Sequence, residues 1–358
     1  MRQPAHGGNL AWAAALAGCP PDAILDFSAS ISPLGPPDSA IAAIQSHIGN
    51  LRHYPDPNYS ELRLALSHFH QLPSEFILPG NGSAELLTLV GRELAELAAT
   101  VVMTPAFGDY YRALSAYNAQ LLEFPVDWES EANLSLFLDK AQNLKEVGLL
   151  LNNPHNPTGK LFLRQSILPY LDQFGLVVVD EAFMDFLPPE EEQSLISLIQ
   201  EYENLVVLRS LTKFYSLPGL RLGYAIAHPD RLSRWQLWRD PWPVNTLAAA
   251  AAIAALQDRE FQQQTWLWLP PARNQLLGGL EAIPGLTPGK GAANFLLVES
   301  KESVSDLQQQ LLKHHQVLIR DCLSFKELGD RFFRVAVRTQ VDNQRLLTAL
   351  HSVMSSEC

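Results

Sequence analysis

The sequence predicts an α/β protein: a large unit built on a mainly parallel sheet covered by helices on both faces, with a smaller α+β unit behind it. Three observations predict this. Short apolar runs alternate with helical periodicity across the middle of the chain, the pattern of strands joined by crossover helices. Two of those runs end on the most unusual polar residues in the chain, and open parallel sheets bind ligands where strands deliver their carboxyl ends. From about residue 270 the pattern changes to a long helix, then strands, then a last helix.

Taken in order, helices are expected near 60–69, 83–98, 107–117 and 165–174, with strands at 100–103, 147–151, 176–180, 205–209 and 222–227. The run Ala248 to Leu256 is ended by Gln257, Asp258 and Arg259, too short for a bilayer and suited to a buried helix. Strands follow near 294–298, 316–319 and 332–337, with a last helix from about 341. The first 48 residues carry Pro33, Pro36 and Pro37 with a short helix on either side, and are expected to pack on the C-terminal unit. The resulting division is 1–48 as an N-terminal arm and part of the small domain, 49–268 as the large domain and 269–358 as the small one.

Bulk properties narrow the function. With 358 residues, 47% hydrophobic and 18% charged, the chain has enough apolar material for a large core. A formal net charge of −12 argues against a nucleic-acid partner, which needs clustered Lys and Arg. No apolar stretch is long enough for a membrane span, and Met1 to Gly8 lack an export signal, so a cytoplasmic protein is expected. Cys19, Cys322 and Cys358 stand singly, which suits neither a disulfide framework nor a zinc site. No metal is expected.

Four segments carry chemistry. Ser210-Leu211-Thr212-Lys213 follows the apolar run Val206-Val207-Leu208, and Arg221 comes eight residues after the lysine. A lysine that reacts as a neutral amine must be partly desolvated, and a phosphate beside it needs hydroxyls and a guanidinium. Asp180 ends the strand Leu176-Val177-Val178-Val179; a protonated ring nitrogen is one partner for such a carboxylate, although a helix cap or structural ion pair is the commoner role. Asn152-Asn153-Pro154-His155-Asn156-Pro157-Thr158-Gly159 is a tight loop after another apolar strand, and holds an asparagine able to donate to a phenolate. Gly80-Asn81-Gly82-Ser83-Ala84 opens an apolar helix, offering N–H groups and a hydroxyl to an anion or simply capping the helix.

These segments, in this order and at these intervals, resemble the fold-type I pyridoxal-phosphate enzymes of the aspartate-aminotransferase superfamily, especially the histidinol-phosphate aminotransferase branch. The resemblance runs from end to end and implies an aspartate-aminotransferase-like large domain with a mainly parallel sheet of the seven-stranded type. It implies pyridoxal 5′-phosphate as cofactor, Lys213 as its Schiff-base lysine, Asp180 on the pyridine nitrogen and Asn156 on the ring oxygen. Ser83, Ala84, Ser210, Thr212 and Arg221 would surround the cofactor phosphate, and Phe107 of Thr104-Pro105-Ala106-Phe107 would stack on the ring. Tyr54, in Arg52-His53-Tyr54-Pro55, matches a tyrosine that reaches the neighbouring subunit's active site, so a homodimer is implied. Phe183 departs from the branch, which usually has tyrosine there; a phenyl ring cannot donate to the ring oxygen.

Within the branch, the ends of the chain resemble the threonine-phosphate decarboxylase family of cobalamin biosynthesis. The carrying residues are His6-Gly7-Gly8-Asn9, Asp26-Phe27-Ser28-Ala29-Ser30-Ile31, Val317-Leu318-Ile319-Arg320 and Arg334-Val335-Ala336-Val337-Arg338. The likeness implies substrate-binding roles for His6, Gly7, Ser30, Asn156 and Arg320, with Arg334 on the α-carboxylate and Arg338 adding charge nearby. Ser30 stands where that family has asparagine, which bears on the choice between phosphothreonine and phosphoserine. The implied reaction is decarboxylation of L-threonine O-3-phosphate to (R)-1-aminopropan-2-yl phosphate; transamination of histidinol phosphate or a similar phosphorylated amine is the alternative.

Overall fold

The computed structural model describes residues 6–126 and 144–355. In chain order, the short strand β1 (Leu25–Asp26) precedes the strands of the large sheet, β2 (Ile77–Asn81), β3 (Ala99–Thr104), β4 (Leu121–Pro125), β5 (Val147–Asn152), β6 (Leu176–Asp180), β7 (Leu205–Ser210) and β8 (Leu222–Ala227). The small unit adds β9 (Leu286–Pro288), β10 (Phe295–Ser300), β11 (Val317–Leu318), β12 (Arg320–Asp321) and β13 (Phe332–Ala336).

The large sheet has seven strands in the order β2-β8-β7-β6-β5-β3-β4. Every neighbouring pair is parallel except those made by β8, which runs against both β2 and β7. Helices cover both faces, so the central strands have no solvent side and read as unbroken apolar runs. Val177, Val179, Leu205 and Val207 join one core cluster, while Leu176, Val178, Val206 and Leu208 join another. Alternate residues of one strand therefore serve opposite layers.

The expected strands and helices are present with small changes of boundary; the short strands β1 and β9 and two strands of the large sheet were not legible. β2 holds Pro79, Gly80 and Asn81, residues that read as a turn, and β4 is half exposed. Both lie at the edges of the sheet, where proline and a weak apolar pattern are tolerated. The long helix also starts earlier than expected. It runs from Arg259 to Glu281 through Pro270 and Pro271, across the expected division between 268 and 269. Buried Leu269, Ala272, Leu276 and Leu280 form one stripe along it, so burial of that stripe outweighs the break the two prolines would otherwise impose.

The small sheet is antiparallel, in the order β12-β13-β10-β9. The N-terminal arm packs on this unit: β1 pairs in parallel with β11, and Ala13 and Ala14 of the helix Leu10–Ala17 meet Leu312 and Leu318. The second arm helix, Asp38–His47, buries Ala40 in the main core instead, where it packs on the helix Thr246–Gln257. Among the described residues, no helix is long and apolar enough to cross a membrane, and no cluster of His, Cys, Asp and Glu could hold a metal. Cys19 and Cys322 are free thiols, and Cys358 lies outside the described residues.

One close contact sets the position of two helices that reach the site. The helix Gly82–Leu94 lies so near the helix Gly108–Ser115 that a Cβ on Gly91 would stand 2.3 Å from the Ala113 carbonyl oxygen. A residue with any side chain there must separate the helices.

Candidate active site

Strand ends β5, β6 and β7 carry the polar centre. Asn152 and Asp180, the last residues of β5 and β6, stand opposite each other in register. The Asn152 amide donates to the Asp180 carbonyl at 2.7 Å, and its oxygen accepts the Asn156 N–H at 2.6 Å. One side chain thus ties the 152–159 loop to the strand carrying the carboxylate. Asn153 clasps the far side of the loop through two 2.9 Å bonds with Phe162, and burial holds His155, inside it, down at about 4.

Asp180 is buried, and each of its oxygens has a donor: the Ala182 N–H at 3.1 Å and the Tyr110 hydroxyl at 2.7 Å. Burial pushes its carboxyl above the usual carboxylate range, against the pull of Tyr110, the Ala182 N–H and the charge on Lys213. The next residue, Glu181, faces the other layer. There Arg209 Nε lies 3.0 Å from Glu181, and Arg209 also pairs with Asp185. Ser194 and the Leu195 N–H complete the Glu181 shell at 2.7 and 2.8 Å. Since Arg209 precedes Ser210, this buried pair braces β6 against β7 just behind the site.

Lys213 follows β7 on a single turn of helix, Leu211–Phe214, capped by Ser210. Its Nζ donates to Thr212 Oγ1 at 2.9 Å, and Thr212 and Ser210 share a 2.7 Å hydroxyl contact. Burial lowers the lysine to about 8; Arg221 and Arg334 act in the same direction, and Asp180 opposes them. Amine and carboxylate therefore lie within electrostatic reach of each other, Asp180 buried and Lys213 partly buried.

The anion-binding elements converge from three places. Ser83 and Ala84 occupy the first turn of the helix Gly82–Leu94, whose N–H groups and dipole attract negative charge. Gly82 has φ +73°, and a Cβ there would meet Arg221 Nη2 at 2.6 Å. On β8, a Cβ at Gly223 would meet the Ser83 nitrogen at 2.7 Å. Two glycines thus let the guanidinium and the helix N-terminus close on one spot, beside the β7 end that supplies the Ser210 and Thr212 hydroxyls. Phe107 precedes the helix Gly108–Ser115, half-buried, with its ring edge-on to Tyr110 at 5.7 Å.

The small unit contributes two arginines. Arg320 and Arg334 face each other across β12 and β13. Arg334 Nη1 donates to Asn156 Oδ1 at 2.5 Å, Nη2 lies 3.4 Å from the Ser28 carbonyl, and the guanidinium sits 4.9 Å above the Phe295 ring. Its buried Nε has no hydrogen-bond partner among the described residues. Burial lowers Arg334 to about 10, which leaves it cationic at neutral pH. Arg320 donates to Ser324 at 2.7 Å and stands 3.6 Å from Asp321. Phe183 packs edge-on to Phe295 at 4.9 Å and gives this wall no hydroxyl.

The N-terminal segments lie across the same region. Ser32 N–H donates to the Lys213 carbonyl at 3.0 Å, and Ser30 is buried with its hydroxyl unpartnered among the described residues. A Cβ on Gly7 would come 2.2 Å from the Ser28 carbonyl oxygen, so only glycine lets the arm lie this close. His6 is 4.0 Å from Asp109 and 5.9 Å from the Phe107 ring, and with Ser28 and Arg320 it lines a small cavity.

Two expected residues stand apart. Tyr54 is 79% exposed and stacks on Trp242 at 4.5 Å. Arg338 turns to Asp342 at 3.2 Å and the Asp26 carbonyl at 3.3 Å. Conversely, Tyr110 and Asn152 belong to the centre and Arg209 braces it from behind, and none of them was singled out as a site residue. Asn152 was visible inside the loop motif, whereas nothing in its local pattern separates Tyr110 from an ordinary core aromatic.

The pattern of the family described as aminotransferase class I and II matches residues 22–350. The chain belongs to that family. Among its relatives, a threonine-phosphate decarboxylase of Salmonella typhimurium is 38% identical over 98% of this chain and 97% of its own length. A histidinol-phosphate aminotransferase of Mannheimia succiniciproducens is 32% identical, covering 93% of this chain and 90% of that protein. In three dimensions, a solved histidinol-phosphate aminotransferase from Clostridium acetobutylicum superposes with a TM-score of 0.82 at 27% identity, over 93% of this chain and all of that one.

For this aminotransferase-family protein the residues present fit pyridoxal 5′-phosphate. A partly buried, easily neutralised amine, a buried carboxylate, the Asn156 amide donor, whose oxygen is held by Arg334, and an N–H, hydroxyl and guanidinium cluster match an aldehyde, a ring nitrogen, a phenolate and a phosphate in turn. With Lys213 at about 8 rather than near 10.5, roughly a few hundredfold more of the amine is neutral at pH 7. Capture of the cofactor aldehyde by apo-protein should therefore speed up as pH rises toward 8 and level off above it, read by stopped-flow absorbance. A rate still climbing steeply at pH 10 would show an ordinary lysine.

Proposed function

We propose that this chain decarboxylates L-threonine O-3-phosphate, giving carbon dioxide and (R)-1-aminopropan-2-yl phosphate for cobalamin synthesis, with pyridoxal 5′-phosphate as cofactor. The observation that carries the substrate is the pair of arginines, buried Arg320 and partly buried Arg334, set opposite each other, with Arg334 bonded to Asn156. Two guanidiniums on adjacent strands, Arg320 with Asp321 at 3.6 Å and Arg334 bonded to the neutral Asn156 amide, suit a substrate with two anionic groups. A phosphorylated amino acid has both.

In this reading Lys213 anchors the cofactor, Asp180 holds its ring nitrogen and Asn156 its ring oxygen. Ser83, Ala84, Ser210, Thr212 and Arg221 hold its phosphate, and Phe107 covers a ring face. When bound, the cofactor supplies an electron sink for the pair left on the α-carbon as the bond to the carboxylate breaks. Arg320, with His6, Gly7 and Ser30, binds the substrate phosphate, and Arg334 directs the carboxylate. Arg338, held by Asp342, adds charge only from behind. Lys213 then delivers a proton to the α-carbon, a task suited to an amine near 8. Phe183 and Phe295, packed edge-on beneath Arg334, would give the substrate carboxylate's side of the site an apolar backing. A cytoplasmic location accords with the free thiols Cys19 and Cys322.

Transamination of histidinol phosphate is the second reading, favoured by the Mannheimia succiniciproducens relative, and O-phosphoserine is the second decarboxylation substrate, favoured by the short side chain at Ser30. Holoenzyme given O-phospho-L-threonine should release carbon dioxide faster than from O-phosphoserine, and should form no glutamate from histidinol phosphate and 2-oxoglutarate. Lys213→Ala should lower turnover at least about a thousandfold. Glutamate formation without carbon dioxide release would replace this proposal with the aminotransferase.

The same proposal includes a homodimer. Ile48, Leu51, Tyr54 and Trp242 are all exposed, and Tyr54 and Trp242 stack on each other, an apolar face that a second copy would cover. Tyr54 would then reach the partner's site. Sedimentation equilibrium should give twice 39.8 kDa, and a monomer mass at micromolar concentration would contradict it.

A further inference from the structure

Tyr110 is fully buried, yet its role in the core does not need a hydroxyl. Its ring packs edge-on to Phe107 and joins the apolar cluster of Leu86, Val90, Val178 and Leu208, where phenylalanine would serve as well. The hydroxyl instead makes one 2.7 Å bond, to Asp180 Oδ2. The opposite oxygen is taken by the Ala182 N–H at 3.1 Å. Two donors from different elements, one on each oxygen, fix both the position and the twist of the carboxyl plane.

We infer that Tyr110 is a positioning residue: its hydroxyl holds the Asp180 carboxylate in the one orientation in which that group can receive the ring N–H of pyridoxal 5′-phosphate. The inference rests on the cofactor reading above. It also explains the close packing at Gly91, because the helix Gly108–Ser115 must come near enough to β6 for the phenol to reach. A methylene of extra separation between helices would loosen that bond.

The hydroxyl has an electrostatic consequence too. Around Asp180, Lys213 and the Tyr110 O–H favour the charged carboxylate, while Asp109, on the same helix as Tyr110, opposes it. Arg209, Glu181 and Asp185 face the opposite layer of the sheet. Removing the phenolic donor therefore raises the pH at which Asp180 protonates, and a protonated carboxyl no longer attracts a cationic ring nitrogen.

The test measures binding of pyridoxal 5′-phosphate to apo-protein by fluorescence across pH 5 to 8. Tyr110→Phe should weaken affinity about tenfold, as expected for one charge-assisted bond, and should move the acid-side loss of affinity to higher pH. Replacing Tyr110 with 3-fluorotyrosine, a stronger donor of nearly the same shape, should move that loss to lower pH and covers the case in which the phenylalanine variant folds poorly. Affinity within twofold of wild type and an unmoved acid limb in the foldable variants would overturn the role given to Tyr110. Failure of the wild-type apo-protein itself to bind the cofactor would instead overturn the reading on which the inference stands.

Discussion

Holding an amine and a carboxylate largely out of water on neighbouring strand ends is the constraint on which the rest of this protein depends. Asp180 ends β6 in register with Leu208 of β7, and Lys213 follows β7 by a single helical turn. Burial works against the charged form of both groups, so neither could be kept there without compensation. On the site side the compensation is mutual attraction together with Tyr110, the Ala182 N–H and Thr212. On the far side it is mechanical: Glu181 and Arg209, one residue removed from Asp180 and Ser210, form a buried ion pair that keeps the two strand ends from parting. A buried pair of this kind adds little net stability. Its value here is in fixing where two other residues stand.

The division of labour between the two units follows from topology. Parallel strands with both faces covered give a rigid platform whose carboxyl ends are the only polar edge available, and the cofactor-type residues all lie there. The substrate-type arginines lie on β12 and β13 of the small sheet, and the Asn156–Arg334 bond joins the two sets. On the proposed function, a substrate anchored by the small unit would be presented to the platform in an orientation set by a few side chains. Which α-bond breaks depends on that orientation, so members of the aminotransferase class I and II family can share Lys213-type chemistry and still catalyse different reactions.

The sequence made the platform legible because its strands are buried on both sides and therefore read as short apolar runs ending in polar residues, Asn152, Asp180 and the Arg209-Ser210 pair. The edge strands β2 and β4 escaped notice for the converse reason, since an edge tolerates Pro79, Gly80 and half-exposed side chains. Pro270 and Pro271 hid the first half of the helix Arg259–Glu281, whose continuity is enforced by tertiary burial rather than by local preference. Among site residues, Lys213 and Asp180 stood out as polar ends of apolar strands. Tyr110 did not, because a tyrosine on the buried face of a helix has the same local signature whether or not its hydroxyl is used. The family resemblance implied that Arg338 adds charge near Arg334, but β13 ends at Ala336, and beyond it Arg338 bonds to Asp342.

The shared site of Lys213 and Asp180 can be read directly from a covalent mark. Protein incubated with pyridoxal 5′-phosphate, reduced with borohydride and digested with trypsin should yield the Ser210–Arg221 peptide carrying one reduced cofactor on an uncleaved Lys213, and Asp180→Asn should sharply lower its yield at limiting cofactor. Label on a different lysine, or a yield indifferent to Asp180, would contradict the placement of these two groups around one ring.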